Sequence, residues 1–200
     1  ELQVRAIADI RPTGYIGTPS FLKIILEKAL EMGVDVSSLT KGLVGGEAFM
    51  PALRQDLISF GVTCGQIYAS ADIGSIAYES SAQEGLIVDE KLIVEIVRPG
   101  TGDLVEDGQV GEVVVTTFAP EYPLIRFATG DLSATLAGAS PCGRTNMRLK
   151  GWMGRADQTT KVKGMFIHPK QIADIINISN KPVLYIGKGC NNYSTLLKNL

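Results

Sequence analysis

The sequence predicts an α/β protein whose first part alternates helices with strands and whose middle part consists mainly of strands. Helix-period apolar patterns and short strand-like runs alternate as far as about residue 85. Beyond that point the segments are rich in valine, isoleucine and threonine, and no helical pattern separates them. The chain has 200 residues, of which 45% are apolar and 20% charged, which is the composition of a globular protein with a sizeable core.

In the first part, residues 14–19 form the end of a strand, and a helix begins near Pro19 and continues to Met32. The helical spacing puts Phe21, Ile24, Ile25 and Ala29 on its apolar face. The apolar run 39–44 predicts a second strand. A second helix follows from Pro51 to about residue 60, with Leu53, Leu57 and Ile58 on one face, and a turn at residues 61–65 leads into a short strand at 66–68. This alternation predicts a mainly parallel sheet.

The middle part contains two segments of high β-propensity, residues 92–97 and 111–117, joined by a turn-rich stretch. We expect an antiparallel sheet or a small distorted barrel between residues 86 and 150. Five of the six asparagines follow Ile176, and this change of composition marks residues 177–200 as an atypical tail.

Composition also excludes several classes of protein. The net charge of −2, without a cluster of basic residues, argues against nucleic-acid binding, and no apolar run is long enough to cross a membrane. The chain has neither a signal peptide nor an initial methionine, so we expect a cytoplasmic protein of which this is one stretch. The three cysteines lack Cys-x-x-Cys spacing and are expected to be reduced thiols; Cys142, in a turn, has no second metal ligand nearby.

A glycine-rich segment, Gly45-Gly46-Glu47-Ala48-Phe49, follows a predicted strand and precedes a predicted helix. Loops in this position bind ligands in open α/β sheets, and paired glycines let the backbone approach a flat ring or a phosphate. The alternative is a plain turn between strand and helix. The segment is not a P-loop, because no Gly-Lys-Ser/Thr follows.

The next predicted loop runs from Tyr68 through Ala69, Ser70 and Asp72 to Gly74. Tyr68 is suited to stacking on a base, Ser70 to donating to a phosphate and Asp72 to holding Mg²⁺. The alternative is that Ser70 or Asp72 caps a following helix.

Further charged residues lie at the ends of the stretch 122–164. Asp131 is predicted to end a strand, where a carboxylate can accept hydrogen bonds from ribose hydroxyls, unless it is an ordinary turn residue. Arg155 and Asp157 share one turn, and Lys161 and Lys163 alternate along a short strand; these cations suit a phosphate, or form a solvated strand face. His168, the only histidine, precedes a proline and is expected in a loop rather than in a Ser-His-Asp triad.

The order and spacing of these segments resemble the acyl-adenylate-forming enzymes, most closely their phenylacetate–CoA ligase branch. Residues 45–49 look like that branch's Gly-Ala-Glu-Pro-Trp loop, and residues 68–72 like its Tyr-Gly-x-Ser/Thr-Glu motif. Residues 123–131 are similar to Pro-x-x-Arg-x-x-x-Gly-Asp. Residues 154–164 are similar to the hinge motif Gly-Arg-x-Asp-Asp-x-x-Lys-x-x-Gly, and residues 166–172 to the Val-Phe-Pro-Ser-Gln-Ile that follows. The resemblance covers residues 14–176.

The resemblance implies a central part of a ligase that joins a small carboxylic acid, aromatic or not, to AMP using Mg·ATP and then passes the acyl group to coenzyme A. Residues 1–85 would be a partial α/β nucleotide-binding subdomain, 86–154 a β-rich subdomain, and 155–176 the hinge and the start of a small C-terminal α+β domain. Residues 45–49 and 68–70 would frame the adenine, and Asp131 would bind the ribose. Arg155 and Lys161 would lie near the nucleotide, Asp157 would be the hinge, Gly164 would lie on the CoA side, and Asp72 would reach the metal.

Departures from the family pattern leave other functions open. Asp72 replaces the usual glutamate and Ala71 the usual hydroxyl residue, and neither the family's phosphate loop nor its C-terminal lysine has a counterpart, so no catalytic residue is assigned. We therefore expect weak nucleotide binding and no thioester formation by these 200 residues. The alternatives are a non-catalytic nucleotide-binding or scaffold protein and an enzyme that loads a carrier-protein thiol. A homodimer is a further expectation.

Overall fold

The structure is a computed structural model that describes residues 1–158, 160–162 and 165–167. The chain forms two compact units, of which the first spans Glu1–Met153 and the second begins at Gly154. Each is described here by itself. The predictions for Lys163, Gly164, His168 and the tail 177–200 lie outside the described residues. Within those residues, no helix is long and apolar enough to cross a membrane.

The helices of the first unit are α1 (Leu2–Ile10), α2 (Pro19–Met32) and α3 (Pro51–Ser59). Its strands are β1 (Gly14–Gly17), β2 (Lys41–Val44), β3 (Thr63–Ser70), β4 (Gly74–Glu79), β5 (Leu86–Val88), β6 (Leu92–Val97), β7 (Gly111–Thr117), β8 (Phe127–Ser133) and β9 (Arg148–Leu149). The second unit contains a 3₁₀ helix (Ala156–Gln158) and the antiparallel pair β10 (Thr160–Val162) and β11 (Met165–Ile167).

The larger sheet of the first unit has the order β1-β2-β3-β4-β5-β9. Strands β1, β2 and β3 are parallel, as the alternation of helices and strands predicted. From β4 onward the pairing is antiparallel, because β3 is followed by a tight hairpin rather than by a helix. Strand β3 is also longer than predicted: it begins at Thr63 and includes residues assigned to a turn, since each of them up to Gln66 pairs with β2.

The helix predicted after Pro19 is confirmed as α2, and Ile25 and Ala29 of its predicted apolar face are buried, but the other two predicted residues are not. Phe21 and Ile24 are 44% and 57% exposed, whereas the fully buried side chains include Leu22 and Leu26. These two leucines pack with Leu57 of α3, Val44 of β2, Cys64 of β3 and Val62, which precedes β3. The sheet that the helix covers therefore selects the buried face, which spacing within the helix leaves open. In α3, Leu57 is buried as predicted but Ile58 is 45% exposed.

The predicted strands at 92–97 and 111–117 are confirmed as β6 and β7, which form an antiparallel sheet in the order β6-β7-β8. One hydrophobic core joins this sheet to the larger one. It combines Val94, Ile96, Val113 and Val115 of the small sheet with Ile76, Leu86 and Leu149 of the large sheet. Burying one face of each sheet against the other brings β8 close to β3, which positions the site described below.

Candidate functional site

The glycine-rich segment 45–49 lies between β2 and α3, as predicted. A Cβ atom on Gly45 would stand 2.5 Å from the carbonyl oxygen of Ile67, so only glycine lets this loop approach β3 so closely. Val44, the last residue of β2, pairs with Gln66. The glycine-rich segment and Tyr68 are therefore neighbours across two parallel strands, at the carboxyl ends where open α/β sheets bind ligands.

The side chain of Tyr68 joins two of the predicted motifs. Its hydroxyl donates to Oδ2 of Asp131 at 3.0 Å and lies 3.2 Å from the hydroxyl of Thr129. The indole Nε1 of Trp152 donates to the other carboxylate oxygen, Oδ1, at 3.1 Å. Tyr68 and Trp152 each donate to a different carboxylate oxygen of Asp131. These two donors come from distant parts of the chain, and together they orient the plane of the carboxylate.

The prediction that Asp131 ends a strand was wrong, because it lies inside β8. The strand is irregular around it: the pairing register with β7 shifts between Glu112 and Val114, so residues 129–131 lie opposite a single residue of β7. Gly130 has φ of +74°, and its amide donates to Oε1 of Glu112 at 3.0 Å. A β-bulge of this kind redirects the next side chain. The half-buried Asp131 is thus presented by a glycine-dependent bulge rather than by the end of a strand.

Thr129 stabilises the backbone at Asp131 by hydrogen bonds. Sequence reasoning did not single it out as a ligand-site residue. Its hydroxyl donates to the carbonyl of Val113 at 2.8 Å and accepts from the amide of Asp131 at 3.1 Å. Trp152 was also missed. It is the only tryptophan in the chain and stands two residues before the Gly-Arg of the hinge motif. This position beside a motif was the one sequence feature that could have marked Trp152 as a site residue.

The remaining residues of the predicted loop 68–72 have different surroundings. Tyr68, Ala69 and Ser70 belong to β3 rather than to a loop, and β4 follows, so the alternative of a helix cap at Ser70 or Asp72 was wrong. The Ser70 hydroxyl accepts from the amide of Ile73 at 3.2 Å and closes the hairpin turn. Asp72 lies exposed in that turn.

Within the segment 45–49, Glu47 and Phe49 make contacts that anchor the loop. Oε1 of Glu47 accepts from the amide of Ser20 at 2.7 Å, so this side chain stabilises the N-terminus of α2. The guanidinium of Arg54 lies 4.4 Å from the centre of the Phe49 ring. Gly46 and Ala48 are exposed, and Gly46 adopts φ of +77°.

In the second unit, the side chains of Arg155 and Asp157 lie close together, as expected for two residues predicted to share one turn. Nε of Arg155 lies 3.5 Å from Oδ1 of Asp157, and Asp157 lies within the 3₁₀ helix. Lys161 is the middle residue of β10. Gly164 lies outside the described residues.

In the first unit, a cleft and a cavity lie beside the Tyr68–Asp131 pair and the glycine-rich segment. A narrow cleft bordered by Tyr68, Asp131 and Trp152 is too tight to hold a water molecule. A larger cavity of about 520 Å³ is lined by Phe49, Arg54, Gln66, Glu79, Lys150 and others. Leu86 and Gly151 border both, so the cavity and the cleft are adjacent. Together they offer an aromatic wall beside an oriented carboxylate, which suits a ring joined to a polyol.

The described residues contain no group of three or more histidine, cysteine or acidic side chains that could hold a metal ion. Mg²⁺ commonly keeps several waters and binds one or two carboxylates together with the phosphates of its substrate. The exposed carboxylate of Asp72 suits that kind of metal, and a closed cage of protein ligands is not required.

Comparison with known proteins bears on the identity of the chain. No family model matches it. The phenylacetate–coenzyme A ligase of Thermus thermophilus is 31% identical over 184 residues, which are 88% of this chain and 41% of that enzyme. The phenylacetate–coenzyme A ligase of Escherichia coli K12 is 31% identical over 185 residues, with 88% and 42% covered. The chain is a relative of the phenylacetate–CoA ligases. It spans about two fifths of the length of these relatives.

Solved structures agree on the fold. An open conformation of 2-hydroxyisobutyryl-CoA ligase in complex with 2-HIB-AMP and CoA matches 89% of this chain and 44% of that one, with a TM-score of 0.76 and 24% identity. An anthranilate CoA ligase in complex with anthranoyl-AMP matches 84% and 34%, with a TM-score of 0.62 and 19% identity. The predicted fold class is thereby confirmed. The resemblance to the phenylacetate–CoA ligases is confirmed by the curated relatives.

Proposed function

We propose that this phenylacetate–CoA ligase-like chain supplies the adenine and ribose half of the nucleotide site of an ATP-dependent acid–CoA ligase. Such an enzyme joins a carboxylic acid to AMP and then transfers the acyl group to coenzyme A. The supporting observation is the hydrogen-bonded group of Tyr68, Asp131 and Trp152, in which two ring donors orient one carboxylate beside the glycine-rich segment. The names of the curated relatives and the AMP adducts and CoA held by the structural relatives support the reaction class.

In this proposal Asp131 accepts hydrogen bonds from the two ribose hydroxyls, since its carboxylate is held in one plane and the cleft that it borders adjoins the 520 Å³ cavity. The segment 45–49 and Tyr68 frame the adenine, with Phe49 as the aromatic wall of the adjacent cavity. Ala69 and Ser70 contribute backbone at the end of β3.

The second unit is assigned to the phosphate and CoA side. Arg155 and Lys161 would offset charge on the nucleotide, Asp157 would be the hinge for a conformational step, and Gly164 would border the path of CoA. Asp72 would hold Mg²⁺, whose charge lowers the barrier to attack on the α-phosphate. The acid is a small carboxylate, and an aromatic one is the first to test because of the names of the curated relatives.

The proposal is tested by titrating the purified chain with AMP and following the fluorescence of Trp152, the only tryptophan. We expect saturable quenching by AMP and ATP, weaker quenching by ribose 5-phosphate, and none by free phosphate. Equal responses to AMP and to an unrelated dianion such as sulfate would contradict a nucleotide site.

The replacement of the family's hydroxyl and glutamate by Ala71 and Asp72 favours a second candidate, a nucleotide-binding protein without ligase activity. Joining this chain to the flanking regions of a curated relative separates the two. Pyrophosphate release with a carboxylate and ATP favours the ligase. AMP binding without pyrophosphate release favours the non-catalytic protein. Transfer of the acyl group to a carrier-protein thiol in preference to CoA would reassign the acceptor.

A further inference from the structure

A partly buried ion pair beside the candidate site links Arg54 of α3 to Glu79 of β4. One guanidinium nitrogen of Arg54 lies 2.9 and 2.8 Å from the two carboxylate oxygens of Glu79. The other terminal nitrogen donates to the carbonyl of Cys64 in β3 at 2.8 Å. The same guanidinium lies over the Phe49 ring. One planar cation thus contacts the glycine-rich segment, β3 and β4.

Glu79 completes the network by accepting from the backbone amide of Gln66 at 3.0 Å. Gln66 stands two residues before Tyr68 on β3. The side chains of Arg54 and Glu79 are only 19% and 8% exposed. A partly desolvated pair of this kind gains little net stability over apolar packing, and its more characteristic effect is to fix geometry.

Gln66 and Glu79 face each other where β3 and β4 continue toward the hairpin. The first pair of the β3–β4 ladder, Ile67 with Tyr78, lies directly beside this contact. A register shift follows between Tyr68 and Ala69. The carboxylate of Glu79 therefore holds β3 in place just before the irregular end that carries Tyr68.

We propose that Arg54 and Glu79 are positioning residues that hold Phe49 and the Tyr68 end of β3 at a fixed spacing for the base of the nucleotide. Arg54 orients the ring through cation–π contact, and Glu79 fixes the guanidinium and the Gln66 amide. Phe49, Arg54, Gln66 and Glu79 all line the 520 Å³ cavity, so their arrangement shapes its wall. The inference rests on the proposed nucleotide site and adds residues outside every motif on which that proposal depends.

The test compares two ligands that share the ribose and phosphate and differ in the base. Isothermal titration with AMP and with ribose 5-phosphate is measured for the wild-type chain, Arg54→Lys, and the double variant Arg54→Met/Glu79→Gln. The double variant removes both charges together, so no unpaired buried charge is left to unfold the protein. Glutamine keeps an acceptor for the Gln66 amide. Arg54→Lys keeps the charge but not the planar fork.

We expect both variants to bind AMP about tenfold more weakly and to bind ribose 5-phosphate within about twofold of wild type. The reason is that both variants remove the planar cation that orients the Phe49 ring, and with it the order of the glycine-rich segment. Asp56→Asn is the matched control. It removes the ion pair of Lys23 and Asp56, at 2.6 Å, from the same helix without touching Phe49. Its affinity for AMP should stay within about twofold of wild type.

Hydrogen exchange of segments 45–50 and 64–68 supplies a readout that does not depend on ligand. The double variant should exchange faster in both segments, while the control does not. Absence of AMP binding by the wild-type chain would refute the proposed function. The positioning role of Arg54 and Glu79 would then be tested by the hydrogen-exchange result alone. Unchanged exchange in both segments, or equal weakening of AMP and ribose 5-phosphate, would overturn the inference.

Discussion

Replacing Asp131 by asparagine tests the carboxylate on which the candidate site depends. Asparagine keeps one carbonyl oxygen but presents an NH₂ group in place of the second acceptor. Because Tyr68 and Trp152 each donate to a different oxygen, one of these donors would then face another donor. The variant therefore loses the negative charge and one of its two orienting bonds, while its volume hardly changes.

The expected loss of affinity follows from the bonds that the ribose would make. Hydrogen bonds to a charged group contribute about 1.5–3 kcal/mol. A loss of about 2–3 kcal/mol weakens AMP binding roughly 30- to 150-fold. Protein stability should fall by about 1.5–3 kcal/mol, because the bond lost from one ring donor is also a bond to a charged group, while the neighbouring core is unchanged.

We would measure binding of AMP and of 2′,3′-dideoxy-AMP to wild type and Asp131→Asn by isothermal titration. The comparison isolates the binding free energy that comes from the ribose hydroxyls. The loss should appear with AMP and be nearly absent with the dideoxy nucleotide, which has no hydroxyl to donate. Urea denaturation followed by Trp152 fluorescence confirms that the variant is folded. An equal loss for both nucleotides would show that Asp131 acts on the fold of the site rather than on the ribose, and the reasoning would fail.

Three further predictions concern single side chains. Tyr68→Phe removes one orienting donor from Asp131, so AMP affinity should fall by about threefold to tenfold. The free energy of unfolding should fall by about 1.5–3 kcal/mol, because the lost bond is to a charged group; titration and urea denaturation measure the two effects. Unchanged AMP affinity would count against that donor. The pKa of Asp35 is lowered from 3.8 to about 2, chiefly by its hydrogen bonds with Ser37 and also by Arg11. Its stabilising contribution is therefore complete above about pH 4 and is lost as the pH falls toward 2. Asp35→Asn should flatten that part of the stability curve, and an identical acid limb in the variant would contradict it. The hydrogen bond from Ser140 lowers the pKa of the exposed Cys142 thiol to about 7, whereas burial raises the pKa of the Cys64 thiol. Iodoacetamide mapped by mass spectrometry should modify Cys142 in the native protein, at a rate that rises through about pH 7, and Cys64 only after unfolding; faster labelling of Cys64 would refute this order.

Local patterns sufficed for much of the fold. Pro19 and Pro51 mark helix starts because a proline lacks the amide that the first turn leaves unbonded, and both helices begin there. Valine-rich runs predicted β6 and β7 because branched side chains suit a pleated, half-buried surface. Local patterns placed Ile25 and Ala29 of α2 in the core but could not separate Leu22 and Leu26 from the exposed Phe21 and Ile24, because that choice depends on the sheet beneath the helix.

In the candidate site, too, some residues could be predicted from local patterns and others only from the tertiary structure. Sequence motifs marked Tyr68 and Asp131, but they lie 63 positions apart, and nothing local indicates that one donates to the other. Trp152 and the pair of Arg54 and Glu79 carry no motif that reasoning on the residues used, and their roles appear only when β8, β3 and α3 are assembled.

The sequence by itself determined that α2, α3, β6 and β7 form, which segments carry glycine and charge, and which ligase family the chain resembles. These properties depend on residue type and short-range spacing. Only the tertiary structure decided that the parallel sheet becomes antiparallel at the β3–β4 hairpin, that a bulge at Gly130 presents Asp131 from inside a strand, and that two rings hold its carboxylate in one plane. The physical reason is that each of these features requires backbone pairing or hydrogen bonds between segments far apart in the chain.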